Sequence, residues 1–206
     1  MVSSVARKFL STRTLRPTRG GNDTQEADAV LQKVFADCAA AAGKNRKIHD
    51  IIVSVGVSTF GREIAWAQAR LATPFGKHAH EYLAPNLAPT PGTDRSPLTA
   101  VVNSYCRMDF TATPNGCPLD LRLSADVRNI PDAEKMLAGI LKSFVEQGGF
   151  YLQRDTVDPE MLKAAQKDPD RFPNLVVRIS GWSARFATLE KKWQDMLINR
   201  TALGIA

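Results

Sequence analysis

Two closely spaced histidines are the first residues in this chain whose types and spacing suggest chemistry. His78 and His80 are separated by one residue, so an extended segment would point both imidazoles to the same side. Imidazoles arranged in this way can bind zinc, but a zinc site needs three or four protein ligands. No cysteine or carboxylate cluster completes the set, so the sequence favours two solvent-exposed histidines and predicts no metal site.

The three cysteines, Cys38, Cys106 and Cys117, are the other candidates. They are too few and too scattered for a disulfide framework, which favours a reducing, cytoplasmic location. Cys38 falls on the apolar stripe of a predicted helix, together with Val30, Val34 and Phe35, and is expected to be a small buried hydrophobe. Cys106 and Cys117 have no histidine close in sequence, so neither is expected to be a base-activated nucleophile.

The absence of standard motifs and the distribution of charge along the chain exclude several function classes. No GxxxxGK[ST], HExxH, GxSxG or CxxC pattern occurs. Of the net charge of +6, five positive charges lie in the first twenty residues, which contain no acid. A nucleic-acid-binding surface needs basic residues gathered on a folded face, so no nucleic-acid partner is expected. The Arg- and Ser-rich start leaves a mitochondrial transit peptide as an alternative.

The elements that must position any functional residue alternate between helix and strand, which predicts an α/β fold. Helical spacing predicts helices over residues 27–38, 98–108, 136–145, 158–168 and 189–200. Asp158 is the predicted N-cap of the fourth helix, with Pro159 at its first position. Apolar and alternating runs predict strands over residues 51–57, 119–123, 150–154 and 175–179. Five prolines crowd residues 72–98, where regular structure is not expected. No apolar run is long enough to cross a bilayer, so no membrane partner is predicted.

One segment carries a specific signature. Residues 178–183 read Arg-Ile-Ser-Gly-Trp-Ser, and the predicted helix that follows ends in Arg200-Thr201. This segment resembles the glycyl radical signature, in which an Arg-Val-Ser/Ala-Gly-Tyr-Ser/Ala core precedes a helix ending in Arg-Thr. Trp182 replaces the usual tyrosine and keeps an aromatic side chain at that position.

Four further blocks resemble the same family in the same order along the chain. They are residues 17–23, 72–77, 87–100 and 153–172. Arg154-Asp155 departs from the family's usual Phe-Asn pair in the last of these blocks. With five ordered blocks, the chain is identified as a member of the glycyl radical enzyme family, to which pyruvate formate-lyase belongs. The last block and Ser183 resemble the decarboxylase, dehydratase and hydrocarbon-adding branches most.

The resemblance implies a fold and a domain division. The chain would be the C-terminal portion of a ten-stranded barrel, with residues 1–71 closing the barrel region and residues 72–206 forming the glycine radical domain. The radical loop would lie between a short strand and the last helix.

The resemblance also implies a radical on the α-carbon of Gly181. Such a radical is stabilised by delocalisation into the flanking amides, and it needs a planar carbon that a Cβ would crowd. A partner activating enzyme with S-adenosylmethionine and a [4Fe–4S] cluster would remove one hydrogen, so this chain itself is expected to bind no cofactor. The glycyl radical would then convert a cysteine to a thiyl radical, which takes hydrogen from substrate. Such an enzyme is oxygen-sensitive and belongs to anaerobic metabolism.

The residues around Gly181 are the remaining site candidates. The resemblance assigns them to the radical loop and the activase-recognition motif: Arg178, Ile179, Ser180, Trp182, Ser183, Arg185 and Phe186.

None of the three cysteines aligns with the family's thiyl cysteine, which lies on a separate loop far upstream. The chain is therefore expected to lack the catalytic cysteine and to need the remainder of the enzyme or a homo-oligomeric partner. Three alternatives follow: the radical-bearing part of a C–C or C–X lyase, a stand-alone spare part that restores an oxygen-cleaved enzyme, or a binding module without a radical. The upstream blocks favour the first, and the sequence does not decide the substrate.

Overall fold

The computed structural model describes residues 19–43, 47–48, 51–52, 54–73, 77–90, 92–124, 129–156, 158–179 and 181–199. Several sequence predictions lie wholly or partly outside these residues. They concern most of the basic start, residues 17–18 and 74–76 of the family blocks, Ser180, and Arg200-Thr201.

The described residues form a mixed α/β structure, as predicted. The helices are α1 (Gln25–Gly43), α2 (Glu63–Ala69), α3 (Leu98–Cys106), α4 (Ala133–Glu146), α5 (Pro159–Lys167) and α6 (Lys191–Asn199). The strands are β1 (Lys47–Ile48), β2 (Ile51–Ile52), β3 (Leu119–Leu123), β4 (Leu152–Thr156), β5 (Val176–Ile179) and β6 (Trp182–Arg185). Nowhere in these ranges is a helix both long and apolar enough to cross a membrane.

The strands pair in three separate two-stranded sheets. β1 with β2 and β5 with β6 are antiparallel, whereas β3 and β4 are parallel and in register from Leu119–Leu152 to Leu123–Thr156. Parallel neighbours need a crossover connection, and α4 supplies it between β3 and β4. At α5, Asp158 caps the helix by accepting a hydrogen bond from Glu160 N at 2.8 Å, and Pro159 occupies the first turn as predicted.

Two predicted elements differ from the structure. Of the predicted strand 51–57, Ile51–Ile52 is a strand, whereas residues 54–57 are not; residue 53 lies outside the described residues. Val57 N bonds instead to Gly116 O, a turn carbonyl, at 2.9 Å. Trp182 and Ser183 do not belong to a loop that leads to the last helix, because β6 begins at Trp182. Gly181, in the expected radical loop, lies between the antiparallel strands β5 and β6.

Helix α1 is packed through a narrower face than its apolar pattern predicted. Phe35 and Ala39 are buried, but Val30 is 65% and Val34 is 53% exposed. Cys38 is also exposed, so the prediction of a buried Cys38 was wrong. The physical reason is that Phe35 packs edge-to-face on Phe110 at 6.0 Å, and this contact turns the Val30–Val34–Cys38 side away from the core.

The buried side chains form two clusters. The first joins α1, α3, β3 and α4, with Tyr105 stacked between Phe110 and Phe144 at centroid distances of 4.6 and 5.7 Å. The second surrounds the β5–β6 hairpin and contains Ile64, Leu162, Ala165, Val177, Ile179, Phe186, Met196 and Leu197. Arg122 of β3 links the two, because it donates to Leu197 O and lies 3.7 Å from Asp155.

Candidate functional site

The β5–β6 hairpin presents Gly181 at its tip. Val177 and Ile179 point inward and are 3% and 0% exposed. Phe186, also 0% exposed, closes the base of the hairpin by donating its N–H to Leu175 O at 2.8 Å. Burial on alternate positions is what a half-covered strand requires. Because Ile179 pairs with Trp182, Gly181 lies in the turn between the two strands.

Gly181 has a φ of +103° and is exposed. A Cβ placed on it would lie 3.6 Å from Cδ1 and Cε1 of Phe60, which is ordinary van der Waals contact. Positive φ favours glycine because side-chain residues are strained there. Glycine at position 181 is therefore demanded by backbone conformation and not by lack of space.

The loop before α2 packs against this hairpin. Phe60 and Gly61 have φ values of +47° and +82°. A Cβ on Gly61 would lie 2.6 Å from Cη2 of Trp193, so only glycine permits the close approach of this ring. Trp193 in turn meets Trp182 edge-to-face at 5.8 Å. The loop, α6 and the hairpin thus interlock beside Gly181.

Asn86 anchors the loop before α2 through hydrogen bonds. Its side chain is buried, and its Oδ1 accepts hydrogen bonds from Thr59 N at 2.8 Å and Ser58 Oγ at 3.2 Å. Its Nδ2 donates to Asp120 Oδ2 of β3 at 2.5 Å. A buried amide whose oxygen and nitrogen are both engaged fixes its neighbours firmly. The loop that carries Phe60 is therefore anchored to the parallel strand pair.

The other predicted site residues divide between core and surface. Ile179 and Phe186 are core residues of the second cluster. Arg178 and Ser183 face each other across the hairpin, and Arg178 Nη1 donates to Ser183 Oγ at 3.1 Å. Trp182 is 38% exposed, and Arg185 is exposed. Trp182 thus lies beside the tip, Arg178 lies one strand pair farther along, and Arg185 lies at the base of the hairpin.

The last two helices support the hairpin. Gln194 is buried, and its Nε2 donates to Phe186 O at 3.1 Å and to Leu189 O at 3.2 Å. A hydrogen bond from Gln166 of α5, followed by one from Lys191, holds the pKa of Asp195 below its usual value. These contacts fix α5, α6 and the hairpin as one unit.

The cysteines lie elsewhere. Cys117 is fully buried in the first cluster, with Sγ 3.3 Å from Thr113 Oγ1. Cys106 packs on the same cluster, and burial raises the pKa of its thiol, which disfavours the thiolate a nucleophile needs. Neither contributes to the second cluster, where the hairpin packs.

The histidine pair does not form a metal centre in the described part of the chain, where no three His, Cys, Asp or Glu side chains come together suitably. The ring of His80 places Nδ1 2.8 Å from Gln68 O. His78 lines an open cavity of about 810 Å³ together with Lys77, Tyr82 and Tyr105. Burial is the main cause that lowers the pKa of Lys77. No described residue of the hairpin lines this cavity.

Sequence reasoning missed three neighbours of Gly181, namely Phe60, Gly61 and Trp193, as parts of the site. No spacing or periodicity connects residue 60 with residue 181, because their contact depends on the fold. The adjacent Phe-Gly pair ahead of a short helix was the only local signal.

Comparison with known proteins places this geometry in a family. The model of the family described as "Glycine radical" matches residues 83–187. The chain is 35% identical, over 148 residues, to "Probable dehydratase YbiW" of Escherichia coli (strain K12), which spans 71% of this chain and 18% of that protein. It is 33% identical to the "4-hydroxyphenylacetate decarboxylase glycyl radical subunit" of Clostridioides difficile (strain 630), spanning 71% of this chain and 16% of that protein.

A solved structure agrees with these sequence matches. The glycerol-bound form of the B12-independent glycerol dehydratase from Clostridium butyricum superimposes with a TM-score of 0.88 at 26% identity, covering 96% of this chain and 25% of that one. The chain belongs to the glycine radical family. It matches the C-terminal part of glycyl radical enzyme barrels and spans less than a fifth of the two curated relatives. Enzymes of this family carry a glycyl radical installed by a separate activating enzyme.

Proposed function

We propose that this chain is the radical-bearing C-terminal part of a glycyl radical enzyme of the C–C or C–X lyase type, with the radical stored on Gly181. The observation that carries the proposal is the tip of the hairpin, where a glycine with positive φ is exposed within the Arg-Ile-Ser-Gly-Trp-Ser motif. The space around Gly181 would accept a Cβ. Packing therefore does not require the glycine. Its positive φ does, and a planar α-carbon radical would require glycine as well.

The chemistry at Gly181 begins with two hydrogen transfers. The activating enzyme removes one hydrogen atom from the α-carbon, so that one C–H bond breaks and the unpaired electron stays on the main chain. The α-carbon then takes the hydrogen of a cysteine thiol, which restores its C–H bond and leaves the unpaired electron on sulfur. The thiyl radical abstracts a hydrogen atom from substrate and becomes a thiol, and the product radical later takes a hydrogen atom back from that thiol. The regenerated thiyl radical then takes the α-hydrogen of Gly181, which returns the unpaired electron to the main chain.

We assign the thiyl cysteine to the rest of the enzyme, not to this chain. Cys106 and Cys117 belong to the first cluster, and the hairpin packs in the second. Cys38 lies exposed on α1. The remainder of the barrel, in a longer chain or a separate subunit, would supply the cysteine and most of the substrate contacts.

The activating enzyme is the second proposed partner. Trp182 and Arg185 are exposed on β6, and Arg178 is half-buried beside them. Trp182 adjoins Gly181, Arg178 lies one strand pair farther from the turn, and Arg185 lies at the base of the hairpin. Gly181 itself is exposed, as access for another protein requires. With Ile179 and Phe186 anchoring the hairpin in the core, the proposed recognition motif combines a fixed base with an accessible tip.

Electron paramagnetic resonance tests the radical assignment. The chain is activated anoxically with a radical S-adenosylmethionine activating enzyme, S-adenosylmethionine and a reductant, and a doublet from the remaining α-hydrogen is expected. Gly181→Ala should give no such doublet while keeping the wild-type circular dichroism spectrum. Persistence of the same doublet in Gly181→Ala would place the radical elsewhere.

Air exposure supplies a second readout. After verified activation, oxygen should cut the backbone at Gly181 and release a peptide of residues 182–206, detectable by mass spectrometry. An intact chain after aeration would contradict the proposal.

The spare-part alternative predicts a different outcome in cells. A spare part should restore activity to a glycyl radical enzyme already cleaved at its own glycine, whereas a radical-bearing portion with its own barrel should not. The first cluster favours the latter, because its α1, α3, β3 and α4 core extends well beyond a replaceable radical loop. Dehydratase and decarboxylase relatives make those reactions the first to test.

A further inference from the structure

We propose that the open cavity of about 810 Å³ beside the first cluster binds a small organic monocarboxylate with an apolar body, and that its carboxylate lies at Lys77. The volume falls in the range of small-molecule sites in proteins, about 300–1,000 Å³. No described residue of the β5–β6 hairpin lines this cavity. The inference therefore goes beyond the proposed function and does not depend on a radical at Gly181.

The walls of the cavity supply apolar surface. Leu31 of α1 and the loop residues Leu87 and Pro89 line the cavity and are half-buried, so part of each side chain is open to solvent. Val101 and Leu119 of the first cluster also line it and are 1% and 0% exposed. A ligand that covers the half-buried side chains removes apolar surface from water, which favours a ligand with a hydrocarbon or aromatic body.

Residues 70–81 carry more positive than negative charge. The charged residues in this segment are Arg70, Lys77 and Glu81, two cations and one carboxylate. Lys77 is half-buried and lines the cavity, and it belongs to none of the ion pairs in the described part of the chain. Burial, followed by the charge of Arg70, lowers the pKa of Lys77, whereas Glu81 opposes this effect. A carboxylate in the cavity would stabilise the charged form of Lys77.

Hydrogen bonds within residues 70–81 hold Lys77 in place. Arg70 Nη2 donates to His78 O at 2.8 Å and to Glu81 O at 2.9 Å. Thr73 N donates to Lys77 O at 2.9 Å. The carbonyl groups that accept from Arg70 carry no net charge, so they do not neutralise its guanidinium. The segment is thus ordered before a ligand binds, which lowers the entropic cost of binding.

Isothermal titration calorimetry on the wild-type chain tests the site with three probes. Octanoate has both features of the proposed ligand, 1-octanol lacks the charge, and acetate lacks the apolar body. Octanoate is expected to bind saturably, and 1-octanol and acetate should each bind roughly tenfold or more weakly. Absence of octanoate binding, or an equal affinity for octanoate and either of the other probes, would overturn the proposal.

Two substitutions at the cavity should change the affinity in opposite directions. Lys77→Met removes the charge and keeps the length of the side chain, so octanoate should bind roughly tenfold more weakly and 1-octanol as in wild type. Glu81→Gln removes a carboxylate that repels the ligand, so octanoate should bind about twofold more tightly. The control is Lys142→Met on α4, a helix none of whose residues lines the cavity, and its octanoate affinity should equal that of wild type.

Circular dichroism checks that each variant is folded. Wild-type octanoate affinity in Lys77→Met, a lower affinity in Glu81→Gln, or an equal loss in Lys77→Met and Lys142→Met would each overturn the site. None of these measurements involves the paramagnetic resonance doublet. Failure of this inference therefore leaves the proposed function intact, and loss of the doublet leaves this inference intact.

Discussion

At the scale of single residues, glycines 61, 92 and 181 share positive φ values but differ in their surroundings. A Cβ on Gly61 would collide with the Trp193 ring at 2.6 Å, whereas a Cβ on Gly92 would meet no atom within 4 Å. Gly181 falls between them with an ordinary contact. The three positions therefore separate the cost of backbone strain from the cost of steric overlap.

Gly61→Ala is expected to lower the free energy of unfolding by about 3 kcal/mol, since backbone strain and overpacking against Trp193 add. Gly92→Ala is the matched control, because the φ of Gly92, +78°, is close to the +82° of Gly61. This substitution should lower the free energy of unfolding by only about 1 kcal/mol. Urea denaturation followed by tryptophan fluorescence measures both. Equal losses in the two variants would show that the Trp193 contact contributes nothing.

At the scale of elements, the loop at residues 58–62 depends on one buried side chain. Asn86 bonds to Thr59 and Ser58 on one side and to Asp120 of β3 on the other. It has a positive φ of +49°, which asparagine tolerates better than most residues. The loop, and with it Phe60, is thus connected to a strand more than fifty residues away in sequence.

Asn86→Ala should destabilise the protein by about 2 kcal/mol, because it leaves buried polar partners unsatisfied. Hydrogen exchange gives the local readout: the Thr59 amide, which loses its acceptor, should exchange faster. The Val57 amide bonds to Gly116 O at 2.9 Å and serves as the internal control with unchanged exchange. Similar acceleration at both amides would indicate general loosening instead of a specific anchor.

At the scale of the whole molecule, Arg122 connects the two clusters. It is 5% exposed, donates to Leu197 O of α6 and pairs with Asp155 of β4. Removal of one partner from a buried ion pair leaves a buried charge without compensation. Arg122→Met should therefore lower the free energy of unfolding by about 3 kcal/mol.

The control for this prediction is Lys142→Met. Lys142 pairs with Glu146 at 3.8 Å on the exposed face of α4, and such surface pairs contribute at most about 1 kcal/mol. Chemical denaturation of both variants at neutral pH measures the difference. If Arg122→Met proves as stable as Lys142→Met, Arg122 does not couple the clusters.

Asp23, which precedes α1, is linked to Asn103 of α3 by a hydrogen bond and to Arg107 by an ion pair. A hydrogen bond from Asn103, followed by the interaction with Arg107, holds the pKa of Asp23 below its usual value. A carboxylate whose pKa is lower in the folded than in the unfolded state stabilises the fold above the unfolded pKa. That contribution is lost as the pH falls through the lower, folded value.

The free energy of unfolding of the wild type should therefore fall more steeply below about pH 4 than that of Asp23→Asn. Above that pH the two curves should run parallel, with wild type the more stable. Urea titrations between pH 2 and pH 7 (a range set by the carboxylate pKa values) measure both. Parallel curves over the whole range would show that Asp23 does not titrate with folding.

Local patterns in the sequence predicted much of this molecule correctly. The cap at Asp158, the strand at Leu119–Leu123 and the helix from Leu98 were all confirmed, because capping and periodicity act within a few residues. The family signature around Gly181 was equally local. The boundaries of the predicted glycine radical domain, residues 72–206, stay a prediction.

Only the tertiary structure decided what lies against Gly181. Phe60, Gly61 and Trp193 come together with the hairpin through contacts between segments distant in sequence, and no local pattern encodes such contacts. The same applies to α1, where helical spacing placed Val30 and Val34 inward, but both are exposed. An apolar stripe shows which residues of a helix can be buried. Which of them are buried depends on the elements that pack against the helix, because burial requires contact between two elements.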